Sequence, residues 1–238
     1  MRTGNLTVTA RTQRQREPNS IIVIKFDLDE IKQHFDENLR LIKEQFSIIE
    51  QFSVENDAEK IRTIYQSQII LLESAFDFYL HELTKYGLSE MFVGNWEKTK
   101  KYNNISVKMS IVEEALGNRN EHEWFLKFIN ESYKSVTIMS FSSVKDHLNL
   151  LGLDLDEFAN KVFYVRGAQE KPNDQFKNRL DKLFDIRNII AHQSDRRHAD
   201  AQLENITAEM VESSIDIIEK IVLAIHEQAK FQNNTEIN

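Results

Sequence analysis

Three polar side chains near the end of one predicted helix have the chemistry to act on a proton or a phosphate. Arg187, Asn188 and His192 lie in the stretch Phe176 to Arg197, whose first half repeats apolar residues at helical spacing. Histidine can give or take a proton near neutral pH, and arginine offers a planar set of donors that suits phosphate oxygens. Asparagine can hold either of these groups by hydrogen bonds. The residue types therefore predict acid–base chemistry beside a bound phosphate.

The same helix places its arginine where an arginine is unusual. Arg187 falls in the middle of the apolar stripe, almost directly above Phe176. A charged side chain is rare at such a position unless it is paired with an opposite charge or has a function. Asn188 and His192 are four residues apart and share one edge of the helix. A structural interpretation is also open, with Arg187 as a paired core arginine and His192 stabilised by the dipole at the helix end. The stripe consists of Phe176, Leu180, Leu183, Phe184, Ile190 and Ala191.

A second predicted helix, Ala58 to Tyr86, could supply the partner. It is apolar over much of its circumference, which places it at the centre of the core. Glu73, Asp77 and His81 recur every four residues along it and form one polar seam. Either this seam is a solvated face, or Glu73 or Asp77 faces the motif helix and pairs the arginine or orients the histidine.

The motif and its surroundings resemble a known superfamily. The run Arg187 to His192, RNIIAH, resembles the signature of the HEPN superfamily, which comprises helical ribonucleases and inactive relatives. The run Ala191 to Arg197 resembles the RiboL-PSP-HEPN branch, with its Asn-x-x-Ala-His core and charged tail. Leu71 to Leu83 resembles the early helix of that branch, and Val144 to Gly152 resembles its middle segment. The resemblance covers roughly residues 58 to 230.

This resemblance implies an all-α fold, a HEPN-like helical bundle with added helices, and a metal-independent endoribonuclease without a cofactor. RNA carries its own nucleophile, the 2′-hydroxyl, so the enzyme needs only a base, an acid and positive charge on the phosphate. The implied catalytic residues are Arg187, Asn188 and His192.

One copy of the motif looks insufficient for that reaction. Arg187 and His192 are five residues apart, so on a straight helix their directions differ by about 140°. Two copies across a twofold axis could bring both groups to one phosphate, and HEPN nucleases resemble this picture because their composite site forms at a homodimer interface. We therefore expect a homodimer.

The residues after the motif have open roles. Arg196 and Arg197 either contact RNA phosphates or form ordinary solvated surface. Asp195 could orient the imidazole of His192, provided that the helix continues that far.

Composition limits the remaining possibilities. The chain has 238 residues, a mass of 28.0 kDa, only two prolines and six glycines, which predicts a globular protein with long helices. The lack of cysteine excludes disulfides and thiolate metal sites and fits a cytoplasmic location. No apolar run is long enough for a membrane span.

A net charge of -8 argues against broad nucleic-acid binding but allows one basic cleft. Glu121, His122 and Glu123 are adjacent and do not converge on a metal.

We expect a basic arm or short β-hairpin over residues 1–26, one helical domain over 27–231 and a polar tail over 232–238. The arm is open to two other interpretations, a disordered start before a short edge strand or a phosphate-binding arm. Within the domain, Gly87 and Gly152 are expected to end helices. Besides the motif helix and a last helix, helices are expected over 27–52, 58–86, 103–117, 123–133, 136–151 and 155–165.

The leading hypothesis is an endoribonuclease that acts as a toxin or abortive-infection effector in bacterial defence. Its RNA substrate and a cognate antitoxin or regulatory protein are implied by the resemblance alone. The alternative is a noncatalytic helical module that binds RNA or a partner protein. A phosphohydrolase or metal enzyme is a third hypothesis, which residue chemistry favours less because no ligand cluster is evident.

Overall fold

The structure is a computed structural model that describes residues 24–54, 57–117, 123–133, 135–138, 140–193 and 206–234, with only the backbone described for His192 and Gln193. These residues form an all-α fold without a strand, which confirms the predicted fold class. The helices are α1 (Leu28–Val54), α2 (Ala58–Val93), α3 (Lys100–Asn103), α4 (Met109–Gly117), α5 (Glu123–Tyr133), α6 (Phe141–Leu151), α7 (Leu155–Phe163), α8 (Pro172–Gln193) and α9 (Ala208–Asn234).

The N-terminal prediction falls mostly outside the described residues. Of the arm or hairpin expected over 1–26, only residues 24–26 are described, and they are not part of a strand. Among the described helices, none combines the length and the apolar character that crossing a bilayer requires.

The helix α2 is the centre of the core, as its wide apolar surface predicted. It lies antiparallel to α1 and also packs against α5, α6, α8 and α9. Phe35 of α1 meets Tyr79 of α2 edge to face, with 5.8 Å between ring centroids. The buried amide of Gln68 donates a hydrogen bond to the carbonyl of Ile42 at 3.0 Å. Since α2 contacts most of the bundle, it can hold residues of several helices around one site.

The end of α2 was predicted wrongly. The helix continues about two turns past Gly87 to Val93 and is capped by Gly94, which has a left-handed φ of 91°. Gly87 is buried because its lack of a side chain allows Trp96 and Leu151 to approach: a Cβ there would lie 2.7 Å from an atom of each. A glycine needed for close packing cannot be told from a helix-ending glycine in one sequence.

Gly87→Val is expected to lower the free energy of unfolding by about 2–3 kcal/mol, because the new methyl groups overpack the contact with Trp96 and Leu151. Urea denaturation would measure the loss. Gly117→Val is the matched control, because nothing lies within 4 Å of a Cβ built at Gly117. Equal losses in the two variants would contradict the packing role of Gly87.

The helix α6 begins five residues later than predicted, at Phe141 instead of residue 136. Its cap explains the difference, since the Ser140 hydroxyl accepts the Ser143 amide and Ser143 in turn accepts the amide of Ser140. The segment before the cap is attached to α2, because the carboxylate of Asp77 accepts the backbone amide of Ile138 at 2.7 Å. The end of α6 at Gly152 agrees with the prediction.

Other boundaries also differ, including those of α1, which was expected over 27–52 and spans Leu28–Val54. The helix expected over 103–117 begins only at Met109, as α4, and a separate short helix, α3, precedes it; Thr99 starts α3 by accepting the amide of Tyr102 with its side chain. The helix α7 ends at Phe163, whereas the sequence predicted an end at residue 165. These differences leave the order of the helices unchanged.

The motif helix α8 is anchored at its first turns. It begins at Pro172, and a proline suits the first helical position because that position needs no N–H donor. Phe176 is fully buried against the rings of Phe141, Phe158 and Phe163. Within the predicted apolar stripe, Phe176, Leu180, Leu183 and Phe184 are buried, Ile190 is half-buried and Ala191 is exposed. The stripe is therefore buried in the first turns of α8 and partly exposed near the motif.

The last helix extends into the segment that was expected to be a polar tail. The helix α9 ends at Asn234, and its final turn makes specific contacts. Gln232 donates to the carbonyl of Gly152 at 2.9 Å, and Asn233 accepts the hydroxyl of Tyr86 at 2.8 Å. Polar composition suggested a frayed end because these long-range partners cannot be read from local sequence. Residues 235–238 lie outside the described part of the chain.

Candidate active site around Arg187

Arg187 lies on the side of α8 that faces the central helix. Its side chain is 22% exposed, so most of it is covered by protein. The turns before it bury Leu183 and Phe184 in the core. The guanidinium is therefore held at the border between the core and solvent, where an arginine can be fixed in position and still reach a ligand.

Glu73 of α2 is the partner of this arginine. Its Oε2 lies 2.7 Å from Nε of Arg187, and its side chain is only 1% exposed. The distance is that of an ion pair, although the N–H is not aligned for a regular hydrogen bond to either carboxylate oxygen. The sequence left two acidic residues as candidates for this contact, and Glu73 is the one that makes it. The contact accounts for a charged side chain on an apolar stripe.

Burial raises the pKa of Glu73 to about 7, Arg187 opposes that shift, and the negative charge of Asp77 adds to it. The desolvation of the carboxylate thus outweighs the attraction to the guanidinium. Near neutral pH the carboxyl of Glu73 is consequently present in both its ionised and its protonated form.

Glu73→Gln is expected to gain stability relative to the wild type as the pH rises. Because the folded-state pKa of about 7 is raised above the ordinary value of 4.5, folded Glu73 holds its proton over a pH range in which the unfolded chain has lost it. The stability from this group is present below pH 4.5 and is lost as the pH rises through 7. Between about pH 5 and 8, the difference in free energy of unfolding should shift by about 2 kcal/mol in favour of the variant.

Urea denaturation of both proteins at the two pH values would measure this shift. The comparison cancels the titration of histidines, which both proteins share. Glu50→Gln, at an exposed position on α1, is the matched control and should show no such shift. A pH-independent difference between wild type and Glu73→Gln would contradict the raised pKa.

Asn188 and His192 complete the motif in the last turns of α8. Asn188 is exposed, and its Oδ1 accepts a hydrogen bond from Nη1 of Arg187 at 3.1 Å. His192 lies in the last turn of α8, where only its backbone is described. The predicted supporting residue Asp195 and the predicted RNA contacts Arg196 and Arg197 lie outside the described residues.

The other two members of the polar seam on α2 contact the segment before α6 and each other. Asp77 accepts the amide of Ile138 with one oxygen, and its second oxygen lies 3.7 Å from Nε2 of His81. Asp77 therefore holds the segment before α6 and acts on Glu73 only through its charge. The seam is mostly covered, since the side chains of Asp77 and His81 are 21% and 20% exposed, and it is not a solvated face.

Sequence reasoning missed the polar cavity that this part of the seam lines. Asn130 and Tyr133 of α5 contribute to it together with the segment after α5. The helix over 123–133 was predicted, but its local pattern does not show that Asn130 and Tyr133 line a cavity with α2. The neighbouring His147 was missed as well, although it is buried and directs Nδ1 at the carbonyl of Ser143, 2.8 Å away.

The described residues contain no group of three or more histidine, aspartate or glutamate side chains arranged to hold a metal ion. Of the three adjacent residues considered in the sequence, Glu121 and His122 lie outside the described residues, and Glu123 is exposed at the start of α5.

The geometry joins Arg187, Asn188 and Glu73 in one contact network and places His192 one turn beyond Asn188. Comparison of the chain with family models, with curated proteins and with solved structures gave no match.

Proposed function

We propose that the chain is a metal-independent endoribonuclease of the HEPN type. The observation that carries this proposal is the contact of Arg187 with the buried Glu73, because it fixes a guanidinium beside Asn188 at the edge of the motif helix. Within the described contacts, Nε faces Glu73 and Nη1 faces Asn188, which leaves Nη2 for a ligand. A positioned guanidinium of this kind suits a phosphate oxygen.

In the proposed reaction a 2′-hydroxyl of the RNA attacks the neighbouring phosphorus of the same strand. His192 takes the proton of the 2′-hydroxyl while that oxygen bonds to phosphorus. The bond from phosphorus to the 5′-oxygen breaks, and the protonated His192 gives this proton to the leaving oxygen. The products are a 2′,3′-cyclic phosphate and a 5′-hydroxyl end, so the step consumes no water. Arg187 stabilises the charge that develops on the phosphate, and Asn188 holds an oxygen or the imidazole.

The proposal includes a symmetric homodimer, because Arg187 and His192 point in different directions from one helix. Exposed apolar side chains on α2 support it. Ile70, Leu71 and Phe78 are 37%, 42% and 38% exposed in the turns around Glu73. A second copy of the chain would cover such a surface.

The biological setting rests on the family resemblance. We place the enzyme in the cytoplasm as a toxin or abortive-infection effector of bacterial defence, restrained by a cognate antitoxin or another regulatory protein. The alternative is a noncatalytic helical module that binds RNA or a partner protein. One observation favours that alternative: a structural arginine would also be paired with a buried carboxylate, as Arg187 is with Glu73.

Cleavage of end-labelled RNA in the presence of EDTA tests these possibilities. The proposal expects cutting in EDTA and cyclic phosphate ends on the products. Binding without cutting would support the noncatalytic module. Activity that disappears in EDTA and returns with a divalent cation would contradict metal independence.

A further inference from the structure

The polar cavity lined by Asp77 and His81 begins on α2 at Ser74, the residue after Glu73. It lies between α2, α5 and the segment before α6 and has a volume of about 390 Å³. Ser74, which follows Glu73 in α2, forms part of its wall, and Asp77 lies one helical turn further on. Cavities that bind small molecules usually measure about 300 to 1,000 Å³, so this one is large enough for a planar ring system.

The charges in this cavity disfavour an anion. Asp77 and Glu82 contribute two negative charges and Lys85 one positive charge. The positive charge is already paired, because Nζ of Lys85 lies 2.6 Å from Oε2 of Glu82. A phosphate would therefore be repelled, whereas a neutral group with N–H donors would meet carboxylate acceptors.

The walls of the cavity are held in place by contacts outside it. Asp77 fixes the segment with Thr137 through its hydrogen bond to the amide of Ile138. The ring of Tyr133 packs edge to face on His147 of α6, with centroids 5.8 Å apart, and Nδ1 of His147 lies 2.8 Å from the carbonyl of Ser143 in the same helix. The cavity thus offers an aromatic ring and hydrogen-bonding groups in a preformed arrangement, which lowers the entropic cost of binding a rigid planar ligand.

We propose that this cavity binds a nucleobase of the RNA, next to the phosphate held by Arg187. The inference rests on the proposed function, because it places the base beside the cleaved bond. Single-stranded RNA is recognised by stacking of bases on aromatic side chains and by hydrogen bonds to base edges. Tyr133 provides the stacking surface, and Asp77, His81 and Asn130 provide the polar groups. The carboxylate favours adenine, cytosine and guanine, whose exocyclic amino groups are donors, over uracil.

An NMR titration with adenosine, cytidine, guanosine and uridine tests the binding. Nucleosides carry no phosphate, so they report on the cavity and not on Arg187. We expect the amino-bearing nucleosides to shift the signals of α5 and of the segment before α6, and uridine to bind most weakly. Thr137→Trp, at an exposed position in the wall, would fill the cavity and weaken binding about tenfold or more.

Ser213→Trp is the matched control, because Ser213 is exposed and lines a different cavity of about 300 Å³ between α8 and α9. Asn130→Leu is a second test variant, which keeps the number of side-chain heavy atoms and removes the hydrogen-bonding groups. Nucleoside binding that is absent, or equal in the cavity variants and the control, would overturn the inference even if RNA is cut.

The same variants separate an RNA site from a site for a free nucleoside. If the cavity holds a base of the substrate, Thr137→Trp raises KM for RNA about tenfold, and Ser213→Trp does not. An unchanged KM together with lost nucleoside binding would overturn the assignment to RNA. Binding of nucleosides by a chain that never cuts RNA would instead contradict the proposed function, and the His192→Ala variant should bind nucleosides normally in either case.

Discussion

His192→Ala and Arg187→Ala are each expected to lower the rate of RNA cleavage in EDTA by about a hundredfold or more. General acid–base catalysis contributes typically about 10²- to 10⁴-fold, so removal of the imidazole should cost at least that much. Loss of the guanidinium removes charge stabilisation of similar size from the transition state. In Arg187→Ala the buried Glu73 also loses the cation that faces it at 2.7 Å.

Controls separate catalysis from folding. Arg179→Ala removes an exposed arginine from the same helix, at a position that faces the groove towards α9, and should retain full activity. Arg187→Lys keeps the positive charge but lacks the planar set of donors, so it should recover only part of the rate. Melting curves would confirm that all four variants are folded. Near wild-type cleavage by folded His192→Ala would contradict the assigned role.

Helix periodicity was sufficient to predict the all-α fold and the order of the main helices. The apolar positions of α8 repeat at helical spacing, and four of the predicted stripe residues are buried as expected. The position of Arg187 on that stripe required a partner, which limited the choice to the acidic residues of the central helix. Glu73 makes the contact, because it is the seam residue whose turn faces α8.

Long-range contacts explain what the sequence could not predict. Gly87 has the local appearance of a helix end, but the approach of Trp96 from beyond α2 determines its role. The last turn of α9 appeared to be a polar tail because the Tyr86 partner of Asn233 is 147 residues away in the chain. The cavity beside the site combines α2 with α5 and a segment without periodicity, so no local pattern indicated it.

A second large effect is expected when two inactive variants are combined in one dimer. In an Arg187→Ala protomer paired with a His192→Ala protomer, one guanidinium and one imidazole remain, and they belong to opposite subunits. A site built across a twofold axis therefore regains one intact pair of the original two, and the heterodimer should have about half of the wild-type activity. Both homodimers should remain near background.

The measurement that tests the composite site most directly is the RNA cleavage rate of this heterodimer. Coexpression of the two variants with different affinity tags, followed by two purification steps, would isolate it from the homodimers. Activity at about half the wild-type rate is the expected result. A heterodimer as inactive as its parents, or a chain that is monomeric while it cuts RNA, would contradict a site shared between two motif helices.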